Sequence, residues 1–426
     1  MPADLALLAL LLAAYALFAA RLERYSISPA MAFVAIGLVM SEDVLGPISV
    51  EPGAEPVKLL AEAALTLLLF VDASEVRGRA LRHDAGPIAR LLIVGLLGTI
   101  VLGALGAALL FPGISFGLAL LVGSALAPTD AALGQPVVTN PAVPARVRRL
   151  LNVESGLNDG IATPFVFLAV GLATTEATGH VGWLAEAAVD VLLGVLVGVG
   201  LGYAGGRLLA LARRLGWASG ASRQLFVLAL AAACYVASLA VGGNGFVAAF
   251  VGGLAFGAGK GADASRVVRF TETQGTLLAI GVWTCFGLVL AGELGSSLWN
   301  VQAIAFALLS LTIFRMLPVA IALLGARFQP VTVLFIGWFG PRGLASIVFL
   351  IIGLEGLHEA GVDAGPLAAA VAWTVLLSVM LHGLSAGPLA KRYGRRADDL
   401  PTGAPELADA IEPLTPRHSW PRETQA

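Results

Sequence analysis

The sequence predicts an all-α polytopic membrane protein with about 13 transmembrane helices, and three observations carry that prediction. Charged residues make up 13% of the 426-residue chain, about half the share that covers an ordinary water-facing surface. Mean hydropathy is +0.87, and apolar runs of roughly 20 residues, each able to span a bilayer about 30 Å thick, recur along the chain. Lys and Arg, finally, collect in alternate connections between those runs. Length alone would suggest two or three soluble domains; the hydropathy excludes that class.

Taken in order, the apolar runs lie at 4–20, 28–41, 57–74, 88–111, 116–140, 149–173, 183–211, 223–242, 244–258, 271–290, 299–324, 331–354 and 364–390. The first, ADLALLALLLAAYALFAA, has no basic leading segment and no obvious small-residue cleavage site, so it reads as a retained helix rather than a signal peptide. The second and ninth are short for a crossing. Cys234 and Cys285 sit inside apolar runs without CxxC or metal spacing and read as small buried hydrophobes. From 396 to 426 the composition turns to Pro and charge, which predicts a disordered cytoplasmic tail.

The alternation of charge gives the orientation. Of the 26 Lys and Arg residues, all but Lys58, Arg315 and Arg342 fall in one alternate set of connections or in the tail. The opposite set holds Lys58 among the acids Glu42, Asp43, Glu51, Glu55, Glu176, Glu293, Glu355, Glu359 and Asp363. Cytoplasmic loops collect Lys and Arg. The N-terminus is therefore expected outside and the C-terminus in the cytoplasm.

Ionisable residues at membrane depth mark function by default. Span 6 enters from the basic connection and carries 152-NVESGLNDG-160. At 1.5 Å per residue Asp159 lies roughly 15 Å past Arg149, near the midplane. Ser155 and Asp159 share one helix face, and Glu154 and Asn158 the adjacent one. Such stripes must face protein or water. Asp72, near the inner end of span 3, can face them, and Arg315 of span 11 lies at the depth of Glu154, the carboxylate best placed to pair with it. Glu62, Asp190, Glu272 and His382 read as structural or interfacial.

Two spans are predicted to break. Span 5 holds 124-SALAPTDAALGQP-136, where Pro128 removes a helical hydrogen bond beside Thr129 and Asp130. Span 12 holds 337-GWFGPRGLAS-346, with Gly340, Pro341 and Gly343 around Arg342. Spans seven apart cross in opposite directions, so these two form the antiparallel signature of an inverted repeat. Half-helix ends carry partial charges of about half a unit; Asp130 is expected to neutralise the positive ends and Arg342 the negative ones.

The combination APTD, ESGLNDG, FRMLP and GPRG, with GNGFVAAFVGGLAFG (243–257) and LHGLSAGPLAKRYG (381–394), resembles the monovalent cation/proton antiporters. Within them it is similar to the NhaP-type Na+/H+ antiporter branch, related to eukaryotic sodium/proton exchangers. The resemblance covers residues 1–395. It implies a homodimer in the cell (inner) membrane, each protomer having a mobile core and a dimerisation bundle. The core is expected around spans 3–6 and 10–13, and the dimerisation bundle from the remaining spans. It also implies that Asp159 is the main cation and proton carboxylate, with Ser155, a backbone group of Thr129, and Asp72 around the ion. Glu154, held by Arg315, would fix Asn158. Related sequences often carry a glutamate near Asp72. No long cytoplasmic regulatory domain is expected here, although some members carry one.

The physical chemistry agrees with that assignment. Na+ or Li+ wants hard oxygen donors, which these side chains supply. A carboxylate stripped of hydration is costly as a bare charge, so a cation or a proton must neutralise it. If the core crosses only when Asp159 is neutralised, exchange is obligatory. Asn158 is uncharged where electrogenic relatives carry a second aspartate, which predicts electroneutral exchange, one cation per proton. Potassium as the cation is the main alternative. No cofactor and no nucleic acid is expected; the partners are lipid, cation and proton. An intramembrane enzyme is disfavoured, because His358-Glu359 begins an HExxH pattern that Val362 ends, no GxGD appears near a second aspartate, and no GxSxG-like elbow is paired with a suitable His. A passive channel would explain the carboxylates, but not two inverted broken helices.

Overall fold

In lipid an apolar run must satisfy its backbone polar groups internally, which leaves helix as the state open to each. The structure, a computed structural model, describes residues 2–49, 54–76, 84–179, 182–259, 264–294, 300–401 and 403–408. Its helices are α1 (Pro2–Arg24), α2 (Pro29–Met40), α3 (Glu55–Ser74), α4 (Ala85–Leu110), α5 (Phe116–Ala125), α6 (Gln135–Val138) and α7 (Ala145–Thr178). They continue as α8 (Trp183–Arg214), α9 (Gly220–Ala240), α10 (Gly245–Gly259), α11 (Ala264–Leu294), α12 (Val301–Ala322), α13 (Pro330–Trp338), α14 (Leu344–Glu359) and α15 (Gly365–Ala397). Taking α5 with α6, and α13 with α14, these match the apolar runs one for one. Seven of the described helices (α4, α7, α8, α9, α11, α12 and α15) are long and apolar enough to cross a membrane unaided.

Several starts carry side-chain caps that the sequence spells out. Ser28, Ser115 and Ser219 accept from Met31, Leu118 and Ser222 N–H groups, and Asn300 caps α12. On α8, Gly194, Gly198, Gly202 and Gly206 form a small-residue stripe that brings its backbone against α10. One irregularity has no sequence signal: α12 is interrupted at Thr312, whose φ of −114° and ψ of −90° lie outside the helical region.

The helices pack as two groups. One holds α4, α5/α6, α7, α12, α13/α14 and α15; the other holds α2, α3, α8, α9, α10 and α11. The contact of α2 with α11 is mirrored by that of α10 with α3, as an inverted repeat requires. This differs from the division expected from sequence, which placed spans 3 and 10 with the broken helices. α3 and α11 instead bury their apolar faces chiefly against each other and against α2, α9 and α10. The seam between the groups is crossed by α7 against α8, α3 and α10, by α14 against α3 and α11, and by α15 against α2.

The expected tail begins later than composition suggests. α15 runs to Ala397, and a short turn at Pro405–Leu407 sits against the starts of α7 and α13. Glu406 there is fully buried, accepting from Gln329 N at 2.7 Å and from Thr332 Oγ1 at 2.9 Å. Its carboxylate caps the start of α13, which is why this polar stretch is ordered. The rest of the tail, from 409, and the basic residues Arg77, Arg79, Arg82 and Lys260 lie outside the described residues.

Candidate functional site

Pro128 cannot donate to a helical ladder, so α5 stops at Ala125 and helix resumes only at Gln135. Likewise α13 stops at Trp338, and α14 starts at Leu344 beyond the Gly340-Pro341-Arg342-Gly343 run. The two breaks clasp one another. Asp130 N donates to Pro341 O at 2.7 Å, and Asp130 Oδ2 accepts from Leu344 N at 3.0 Å, capping α14. Its other oxygen accepts from Ala132 and Leu133 N–H groups at 2.8 and 3.1 Å. Arg342, fully buried, turns Nη1 toward Gly340 O at 3.1 Å and Pro128 O at 3.4 Å, the carbonyls that the breaks release. Carboxylate meets the positive ends and guanidinium the negative ones. Gly343 is demanded by this fit: a Cβ there would come within 2.5 Å of the Asp130 carboxyl carbon.

The polar run of α7 packs into this crossing. Thr129 Oγ1 lies 2.8 Å from Ser155 Oγ, and Asn158 Nδ2 donates to the same Thr129 hydroxyl at 2.6 Å. Glu154 and Arg315, each 1% exposed, pair through two contacts, Nη2 to Oε2 at 2.8 Å and Nη1 to Oε1 at 2.6 Å. That pairing is the one their depths predict. Among the described hydrogen bonds Asn158 is held by Thr129, not by Glu154 as the resemblance implied. Asp159 follows directly on α7, half-buried, and its carbonyl accepts from Thr163 Oγ1 at 2.9 Å. Asp72 is 7% exposed on α3, the helix that meets α7 across the seam. Among the described loops, none of the backbone hydrogen bonds ends on the Thr129 carbonyl, which the break has released.

α15 supplies two supports that sequence reasoning passed over or left as merely structural. Ser378 Oγ accepts from Arg342 N at 2.6 Å and lies 3.2 Å from His382 Nδ1. His382 Nε2 reaches Trp338 O, the last carbonyl of α13, at 2.8 Å. Nδ1 also lies 3.0 Å from Ser378 O; with Nε2 protonated the ring donates to Trp338 O and accepts from Ser378 Oγ, which links the Arg342 amide to α13 but gives the Ser378 carbonyl no proton. The i,i+4 spacing of Ser378 and His382 within an apolar run was the signal available. At the start of α7, buried Asp84 takes Arg146 Nε at 2.8 Å and Arg149 Nε at 2.7 Å, so part of the basic connection serves as anchor.

The arrangement therefore gathers hydroxyl, amide and carboxylate oxygens where two breaks cross, with Asp159 at the seam between helix groups. This donor set suits a small hard cation. Among the described residues no cluster of three or more His, Cys, Asp or Glu has metal-holding geometry.

Residues 7–392 match the family described as sodium/hydrogen exchanger, transmembrane. The chain belongs to that family. Among sodium/hydrogen exchanger relatives, it is 27% identical over 365 residues to the K(+)/H(+) antiporter NhaP of Alkalimonas amylolytica, covering 85% of this chain and 62% of that one. It is 27% identical over 312 residues to a Na(+)/H(+) antiporter of Saccharomyces cerevisiae, covering 69% and 31%. The chain thus spans less than two thirds of the length of these relatives. In fold it is similar to the sodium proton antiporter MjNhaP1 of Methanocaldococcus jannaschii, with a TM-score of 0.72 at 19% identity, covering 91% of this chain and 97% of that one.

Proposed function

We propose that this exchanger-family protein carries Na+ or Li+ across the cell membrane in exchange for H+, one for one, with cation and proton competing for Asp159. The observation that carries the reading is the placement of Asp159: on α7, beside the Ser155–Thr129–Asn158 cluster, where one helix group meets the other. A site on that seam is exposed to one side or the other as the group holding α7 shifts against the group holding α3. Ser155, the Thr129 carbonyl and Asp72 complete the oxygen shell. Arg315 with Glu154, and Asp130 with Arg342, hold the crossing rather than the ion.

Two features support electroneutrality. Asn158 is uncharged and committed to Thr129, and the Asp130 carboxylate is committed to backbone amides of both breaks. That leaves Asp159 as the carboxylate of this crossing available for exchange. The N-terminus faces outward and the C-terminus inward, following the basic loops, and the protein works as a homodimer in lipid. A second reading, K+/H+ exchange, draws on the bacterial relative named for it; donor types do not fix cavity size.

The test is reconstitution in vesicles holding an acid-quenched pH dye, with Na+, Li+ and K+ added separately. Dequenching by Na+ and Li+, without current across the bilayer, is the expected result. Dequenching by K+ alone would select the second reading, and a current carried by the cation without proton movement would contradict exchange.

A further inference from the structure

Lys58 is the one Lys or Arg in the loops and helix ends on the acidic side of the sequence. It is not left to solvent. From the first turn of α3, Lys58 Nζ donates to Glu355 Oε1 of α14 at 2.5 Å. These helices belong to different groups, so the pair bridges the seam. Glu55 and Glu62 add to the field on the ammonium, but Glu62 is hydrogen-bonded to Tyr235 of α9, within its own group. Glu355 is thus the partner across the seam.

Beneath the pair, the path from Asp159 toward this side is filled with apolar groups. α10 lays Phe250 against Gly160 so closely that a Cβ at Gly160 would stand 2.2 Å from the ring. Further along α7, Phe167 meets Phe246 with ring centroids 6.2 Å apart, and Tyr235 meets Phe246 at 5.1 Å. Phe246 and Phe250 are 3% and 7% exposed. Phe167 lies eight residues beyond Asp159, about 12 Å along the helix. An aromatic layer therefore packs α7 against α10 on this side of Asp159, with the Lys58–Glu355 pair above it.

We infer that Lys58 and Glu355 form an outer latch, made when the site is closed to the outside and parted each time the α7 group moves to open it. This inference rests on the exchange reading and orientation proposed above. Both side chains keep solvent contact, 24% for Lys58 and 45% for Glu355. An exposed ion pair biases an equilibrium by about fivefold at most, which suits a contact that must part in each cycle. The aromatic layer closes the path; the pair weights how long it stays closed.

The test bridges the pair covalently. In a chain with Cys234→Ala and Cys285→Ala, Lys58→Cys and Glu355→Cys are joined by a short reducible bis-methanethiosulfonate linker, and exchange is measured before and after reduction. A latch that must open predicts that bridging cuts exchange at least about tenfold, that reduction restores it, and that the single-cysteine chains are unaffected. Undiminished exchange by the bridged chain overturns the latch while leaving exchange itself intact. A wild-type chain inert in the same vesicles instead overturns the reading on which the latch rests. A cysteine-free arm uses charge reversal. Lys58→Glu alone sets two carboxylates face to face and shifts the exchange rate by up to about fivefold. Adding Glu355→Lys returns it toward wild type, and a double variant no nearer to wild type than either single one contradicts the latch.

Discussion

Asp159→Asn is expected to abolish exchange. The variant keeps the size and much of the hydrogen bonding of the side chain, and loses the charge that either guest must neutralise. An amide gives neither guest a charge to neutralise, so cation-driven collapse of a pH gradient in vesicles should fall by about a hundredfold or more, about 3 kcal/mol at about 1.4 kcal/mol per factor of ten. Folding should survive, because Asp130, Arg342, Glu154 and Arg315 hold the crossing through contacts that the substitution leaves in place. Melting near the wild-type temperature with no transport is the expected pair of results. Transport retained at a tenth of wild type or more would remove Asp159 from the centre of the site.

Arg315→Ala is expected to act through stability. Glu154 is 1% exposed and two of the Arg315 nitrogens face its two oxygens. Without the guanidinium a carboxylate is left in a dry interior, at a cost of about 3–5 kcal/mol, and the midpoint of thermal unfolding in detergent should drop by roughly 5–10 °C. Membrane proteins often unfold irreversibly, so the comparison must be made at one scan rate. Glu154→Gln added to Arg315→Ala removes the orphaned charge and should recover part of the loss. If the double variant melts below Arg315→Ala, the pair is not what that arginine serves.

Much of this was legible in the sequence, because lipid leaves few options. Each long apolar run had to be a helix, and each became one. Pro128 and the Gly340–Gly343 run broke their helices where their chemistry requires. Arg315 found Glu154 because a buried guanidinium needs a carboxylate at its own depth, and depth can be counted in residues from the basic loops.

What the sequence hid was lateral. Depth says nothing of azimuth: spans 3 and 10 were expected around the broken helices, whereas α3 and α11 pack chiefly against each other and against α2, α9 and α10, and Asp72 lies on a helix that meets α7 across the seam. Asn158 was assigned to Glu154 by resemblance, yet its amide donates to Thr129, a residue in a broken helix whose path no periodicity describes. Composition also misread the start of the tail. Glu406 falls within the stretch that composition assigned to the tail, and its burial follows from a helix N-terminus at Gln329 that only the folded chain presents.

Everything turns on a single acid being neutralised by metal or by hydrogen ion, never by both together, and proton release on cation binding tests that most directly. Purified protein in weakly buffered detergent, at a pH where the acid is largely protonated, should discharge close to one proton for every Na+ or Li+ it takes up. The Asp159→Asn chain should discharge none. Binding of the cation with no proton released, or equal release from the Asp159→Asn chain, would contradict competition at this residue.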